Sequence, residues 1–213
     1  MARRPLPEEL LLLCADPRTG RIRQPLNFHR VIAGAVLAEL LVRGAITVEK
    51  RHITGFQPLG ASDPAGAAVL ARLSDSGKRR RGAGLDATVR RTSFKAADGY
   101  LDSLVTQGLV TVESRRLLGF LPYRRFVSTS PETVREIGAR VRAAALTPPG
   151  GAADARDRQL AGLIAAGRLE RRVLPGPEGA PARRAVRVLM RELPIAAAVR
   201  RVLNSDSADG SSG

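Results

Sequence analysis

Phe28, Val31, Ile32, Ala35, Val36, Ala38, Leu40 and Leu41 fall at helical spacing with almost no charged face between them. That pattern predicts a helix central to the core, running from Asn27, placed to cap it, to Arg43. Gly44 is the expected left-handed terminator. The alternation over residues 45–49 then predicts a strand, Lys50, Arg51 and His52 a tight turn, and residues 53–56 a returning strand. The same pattern returns 64 positions later: residues 35–56, AVLAELLVRGAITVEKRHITGF, align without a gap on residues 99–120, GYLDSLVTQGLVTVESRRLLGF. Leu37/Leu101, Leu40/Leu104, Gly44/Gly108, Thr47/Thr111, Val48/Val112, Glu49/Glu113, Arg51/Arg115, Gly55/Gly119 and Phe56/Phe120 are identical pairs. In the second copy the strand is expected over 109–113, the turn over 114–116 and the return over 117–120. One helix-Gly-hairpin unit is used twice.

The remaining pattern is mostly helical. Pro5 opens a helix whose Glu8 and Glu9 suit the positive end and whose residues 10–14 supply a buried stripe. Residues 16–20 break it with turn chemistry. Further helices are predicted over 63–73, 85–95, from Pro131 behind a capping Ser130 to Ala144, and over 154–166 and 181–193, and residues 194–203 close the fold. Between them lie a Gly, Ser and Arg loop at 74–84, a Pro/Gly linker at 147–153 and a turn at 174–179. The fold class is mainly α with β-hairpins: one helical core, residues 1–203, framed by the two repeated units, with a Ser/Asp/Gly tail at 204–213 expected to be disordered.

Charge changes this picture more than hydropathy does. Formal net charge is +15, carried by 32 arginines and only three lysines, and such a surplus favours an anionic partner, nucleic acid or acidic membrane. The excess of Arg over Lys also fits a GC-rich bacterial genome, but that bias does not account for the net charge. The single cysteine, Cys14, lies in an apolar run, so it reads as a buried thiol in a reducing cytoplasm. No apolar stretch is long enough to span a bilayer, and residues 1–9 do not resemble a signal peptide.

Catalytic chemistry is sparse. His29 and His52 are the only histidines, neither sits at metal-ligand spacing, and one cysteine makes a zinc site improbable. There is no dinucleotide-binding glycine motif, no Walker-type Gly-Lys-Ser/Thr and no Gly-x-Ser-x-Gly elbow. Glu8/Glu9 and Asp75/Asp86 read as helix ends and turns. The expectation is a non-enzyme with no metal and no cofactor. A helix, a glycine, a strand and an Arg-bearing turn also match the recognition helix and wing of a winged helix-turn-helix protein, with Arg115 and Arg116 on the wing. The apolar helix of the first copy and Asp102 in the second argue instead for a structural frame.

Four segments, taken together and in order, carry a family resemblance. They are Leu-Pro-Glu-Glu-Leu-Leu-Leu-Leu at 6–13, the helix from Gly34 to Gly44, Leu-Val-x-x-Gly-Leu-Val at 104–110, and Asp-Ala-Arg-Asp-Arg at 154–158. In this order and spacing the chain resembles the Golgi phosphoprotein 3 family from about residue 5 to residue 203, with a composition suggesting a bacterial member. The resemblance implies a mainly helical fold with β-hairpins and a peripheral membrane protein, cytoplasmic and on the inner face of the membrane. It would recognise phosphatidylinositol 4-phosphate or another anionic phospholipid through a basic pocket. It also implies self-association through an apolar hairpin, whose region is residues 168–182 here. The family's pocket tryptophan and three arginines fall, counted without gaps, at Gln24, Ala33, Phe94 and Ala97, so none is retained. Arg30 precedes Ala33 and Arg90 and Arg91 precede Phe94 by about one turn, while Arg23 flanks Gln24. Arg23, Arg30, Arg90 and Arg91 are therefore the candidate headgroup site, with the Lys78-Arg79-Arg80-Arg81 loop as supplementary charge.

Overall fold

The computed structural model describes residues 3–58, 64–77, 83–92, 95–117, 121–148, 151 and 153–209. It is mainly helical with small antiparallel sheets. Helix α1 (Leu6–Leu13) and helix α2 (Phe28–Val42) pack together, and α2 is buried along most of its length, as its uninterrupted apolar pattern requires. Asn27 does precede α2, but with φ 58 it sits in the left-handed region and its side chain makes no capping bond. Asparagine tolerates that conformation better than most residues, so it turns the chain into the helix instead of capping it. Each fully buried Leu, Ile or Phe on α2 contributes about 1.5–3 kcal/mol by leaving water.

Gly44 and Gly108 end their helices at φ +70 and +71, the conformation that only glycine adopts without strain. After Gly44, strands β1 (Ile46–Glu49) and β2 (His52–Phe56) form the predicted hairpin, and β3 (Ala83–Gly84) adds to β2. The second copy departs from the first. Its strands β4 (Val110–Leu117) and β5 (Leu121–Ser128) pair through Arg115↔Tyr123 to Leu117↔Leu121, so residues 114–116 are strand and not turn. The expected return strand at 117–120 falls largely on 118–120, outside the described residues.

Between the copies, α3 (Pro64–Gly77) runs past its predicted end, with the Ser74 hydroxyl donating to the Ala71 carbonyl. Helix α4 (Leu85–Arg91) stops earlier than predicted, where Thr92 turns extended, and α5 (Lys95–Thr106) follows. Then come α6 (Pro131–Leu146), α7 (Ala155–Ala166), α8 (Glu170–Val173), a 3-10 turn at Pro177–Gly179, α9 (Ala180–Glu192) and α10 (Pro194–Asp209). Asp154 caps α7 by accepting from the Arg156 amide at 2.8 Å. Ser130 makes no such bond before α6, which starts on Pro131 alone.

Two segments differ from what the family or the sequence pattern implies, for identifiable reasons. Residues 168–182 hold α8, the 3-10 turn and the start of α9, not a hairpin. Pro175, Pro177 and Pro181 remove amide donors there, and Arg183 Nη1 donates to the carbonyls of Leu174 and Gly176, engaging acceptors that a strand partner would need. Residues 204–209, expected as disordered tail, are the end of α10; residues 210–213 lie outside the described residues.

The core is one continuous cluster in which α2, α7 and α10 meet. Their approach is close: a Cβ on Gly34 would lie 2.2 Å from Val199 Cγ2 and 3.1 Å from Leu163 Cδ2. Glycine is what allows α10 to seat on α2. Cys14 is fully buried, and that burial pushes its thiol up to about 12, so it is inert as a nucleophile.

Candidate functional site

Arg30 on the first turn of α2 and Arg90 on the last turn of α4 meet at one carboxylate. Arg30 Nε donates to Asp206 Oδ2 at 3.0 Å and Arg90 Nη1 donates to Asp206 Oδ1 at 2.9 Å, while Arg30 Nη1 donates to the Arg90 carbonyl at 2.5 Å. Arg30 and Asp206 are largely covered; Arg90 is the open member, with 41% of its side chain exposed. His29 stands beside them, held below the usual imidazole range first by burial and then by the Arg30 charge, with Asp206 opposing. It is therefore neutral at neutral pH and does not compete as a cation for Asp206. One turn back on α4, Asp86 accepts a bidentate fork from Arg201 of α10 at 3.0 and 2.7 Å, and a bond from Arg51 at 2.8 Å. The Arg201 bond is the main reason its carboxyl lies below the usual range, against burial and with Arg51 assisting. Helices α4 and α10 are thus joined by charges that run in opposite senses: acid on α4 to base on α10, then base on α4 to acid on α10.

Of the four predicted site residues, the structure brings two together. Arg23 is exposed beyond α1, its amide donating to the Cys14 carbonyl at 3.0 Å and its carbonyl accepting from Arg172 Nη1 at 2.7 Å. Arg91 is exposed at the end of α4. Among the described residues no hydrogen bond or ion pair links either to the Arg30–Asp206–Arg90 cluster. The loop at 78–81 lies outside the described residues.

Two other arginine clusters were not singled out from sequence. The first is buried. Glu39 of α2 accepts from Arg156 of α7 at 2.7–2.9 Å, from Arg43 at 2.6 Å and from the Leu6 amide at 2.8 Å. Burial alone would raise its carboxyl, but these partners together hold it below the usual range. Beside it Glu9, placed in the sequence as a helix end, is buried against Arg140 at 2.6 Å, and Glu8 accepts from Ser103 and Gln107. Burial pushes Glu9 up to about 6, only partly offset by Arg140 and Arg156 and reinforced by Asp157.

The second cluster is open. Arg171 of α8 and Arg183, Arg184 and Arg187 of α9 line a cleft of about 530 Å³, floored by Gly176 and Ala180. The available signal was the spacing 183, 184, 187, which places three guanidiniums along one side of a helix that Pro181 starts.

The sequence matches the model of the family described as Golgi phosphoprotein 3 (GPP34) over residues 6–205. The chain belongs to the Golgi phosphoprotein 3 (GPP34) family. No curated protein matches it. In this family member Ala33 and Ala97, two of the positions aligned with the expected lipid pocket, are core residues, Gln24 is exposed, and Phe94 lies outside the described residues. Among the described residues no helix is long and apolar enough to cross a membrane, and no group of three or more His, Cys, Asp or Glu could hold a metal. The wing-like reading finds little to stand on in this Golgi phosphoprotein 3 (GPP34) fold. Helix α2 is buried, the exposed side of α5 presents Asp98 and Asp102 to any phosphate backbone, and Arg115 and Arg116 belong to β4 and not to its turn.

Proposed function

We propose that this Golgi phosphoprotein 3 (GPP34) family member is a non-catalytic peripheral protein of the cytoplasmic membrane face. It binds anionic lipid headgroups, phosphatidylinositol 4-phosphate or a similar phosphate, at Arg30 and Arg90, with Arg23 and Arg91 as flanking charge. The observation that carries this reading is the Asp206 carboxylate, one oxygen on each guanidinium at 3.0 and 2.9 Å. Two arginines sixty residues apart in sequence already hold one oxyanion, and a headgroup phosphate presents the same oxygens with more charge. Charge-assisted hydrogen bonds of this kind are worth about 1.5–3 kcal/mol each, and basic residues near an anionic leaflet add about 1 kcal/mol apiece. Asp206 then acts as an internal competitor that the headgroup displaces.

Co-sedimentation with phosphatidylcholine vesicles, with and without phosphatidylinositol 4-phosphate or phosphatidylserine, tests this. Binding only to the anionic vesicles is expected, weakened in Arg30→Gln/Arg90→Gln and strengthened in Asp206→Asn. Absence of binding to either anionic vesicle at low salt sinks the proposal. Equal weakening in Arg18→Gln/Arg135→Gln, a pair of exposed arginines elsewhere, means diffuse charge and no site.

A further inference from the structure

The cleft between α8 and α9 has no part in that reading, being built from different residues. Its electrostatics differ from those of every other arginine cluster described above. Arg183 is fixed in place: its Nη1 donates to Leu174 O at 2.6 Å and Gly176 O at 2.7 Å, two neutral acceptors that orient the guanidinium and leave its charge uncompensated. Arg187 Nε donates to Glu170 at 3.0 Å, and Glu170 is mostly buried beneath it. Arg171 and Arg184 are exposed and have no carboxylate partner among the described residues. Glu178 is the other nearby acid; its carboxylate packs against Gly176. The surroundings add more positive charge. Arg200 on α10 is held below the usual arginine range, first by burial and then by the Arg168 guanidinium, with Glu170 opposing.

Crowding like charges costs stability unless something else is gained. A protein that has neutralised Arg30, Arg90, Arg140, Arg156 and Arg201 with its own acids leaves this cleft short of them. The volume, about 530 Å³, is that of a small-ligand site and exceeds what one phosphate fills. The lining argues for the ligand's character. Among the described residues its lining beyond the guanidiniums is Gly176 and Ala180, with no aromatic face for a base and no large apolar side chain for an acyl chain. We propose that the α8–α9 cleft is a binding site for a compact anion carrying two or more phosphates, held by Arg171, Arg183, Arg184 and Arg187. Arg183, already oriented, supplies the fixed fork, and Arg171 and Arg184 close on the phosphates from either side.

Such phosphates occur free in solution or on a lipid headgroup, and calorimetry with inorganic triphosphate on the full chain separates the cases. Triphosphate is expected to bind, with affinity falling about tenfold or more in Arg171→Gln/Arg184→Gln. A parallel arm adds phosphatidylcholine vesicles carrying a bisphosphorylated lipid. Release of bound triphosphate by the vesicles supports the site with a lipid-borne ligand; retention supports it with a soluble one. No triphosphate binding overturns the proposal, and so does an equal loss in Arg18→Gln/Arg135→Gln, which removes the same charge from exposed positions elsewhere. Because the lipid reading depends on Arg30 and Arg90 and this one on Arg171 and Arg184, either can fail without the other.

Discussion

The buried cluster around Glu39 and the open cleft around Arg183 use the same side chain to opposite ends. In the first, Arg156 and Arg140 are enclosed with Glu39, Glu9 and Asp157, so every cation has an acid within reach and the guanidinium fork joins α1, α2, α6 and α7. In the second, four arginines share one directly paired carboxylate, and one of them is braced by carbonyls alone. Enclosure makes the first cluster depend on its partners, because removing one leaves a charge out of water with fewer groups to balance it. Exposure makes the second nearly indifferent to loss of a member as far as folding goes, and therefore free to be used for something else. What separates an enclosed arginine from an open one here is the company it keeps, not its sequence context.

The sharpest way to break that contrast is to remove the deepest cation. Arg156→Met should lower unfolding free energy by about 3–5 kcal/mol in urea denaturation, since it takes from the buried Glu39 its most enclosed cation and leaves it only Arg43 and the Leu6 amide. A loss below about 1 kcal/mol would show that water reaches the cluster. The next effect comes from pH. Glu9 has an ordinary value of 4.5 and is pushed to about 6 in the fold, so the folded state holds this proton more tightly than the unfolded chain does. Its contribution to stability is complete below pH 4.5 and is lost as pH rises to about 6, a change of about 2 kcal/mol. Glu39 and Asp86 are shifted downward, so their contributions have the opposite sign and fade only as pH falls further. Glu9→Gln should flatten the segment from pH 4.5 to about 6 in a denaturation series; an unchanged slope would assign it to another group. Smallest of all, Arg171→Gln and Arg184→Gln should each move stability by no more than about 0.5 kcal/mol. A larger loss would place the cleft among the structural clusters and remove the contrast.

The positions of most helices were legible in the sequence, because apolar spacing and the two glycines report burial and backbone conformation directly, but several helix ends were not. The second hairpin was misread by transferring the Lys50-Arg51 turn of the first copy onto Ser114-Arg115-Arg116. In the two-stranded β4–β5 ladder these residues continue the pairing to Leu117. The polar end of α10 was read as disorder for a related reason: hydropathy registers apolar burial and is blind to ion pairs. Asp206 is held by Arg30 and Arg90, which lie 176 and 116 positions away. That same blindness shaped the site. Arg30 and Arg90 do meet, but at an acid that the sequence reading assigned to the tail, and Glu9 was read as a helix end when it is buried against Arg140.

Helix α10 also fixes the order in which this protein can be finished. Ile195, Ala198, Val199 and Val202 belong to the core cluster, Arg201 holds Asp86, and Asp206 holds Arg30 and Arg90. All of their partners on α2, α4 and α7 are synthesised earlier. While the ribosome still covers residues 194–209, Gly34 faces a gap where Val199 will sit, and two arginines wait without their carboxylate. A nascent chain can form its first helices and hairpins as they emerge, but the core closes only when its final wedge has been released into it.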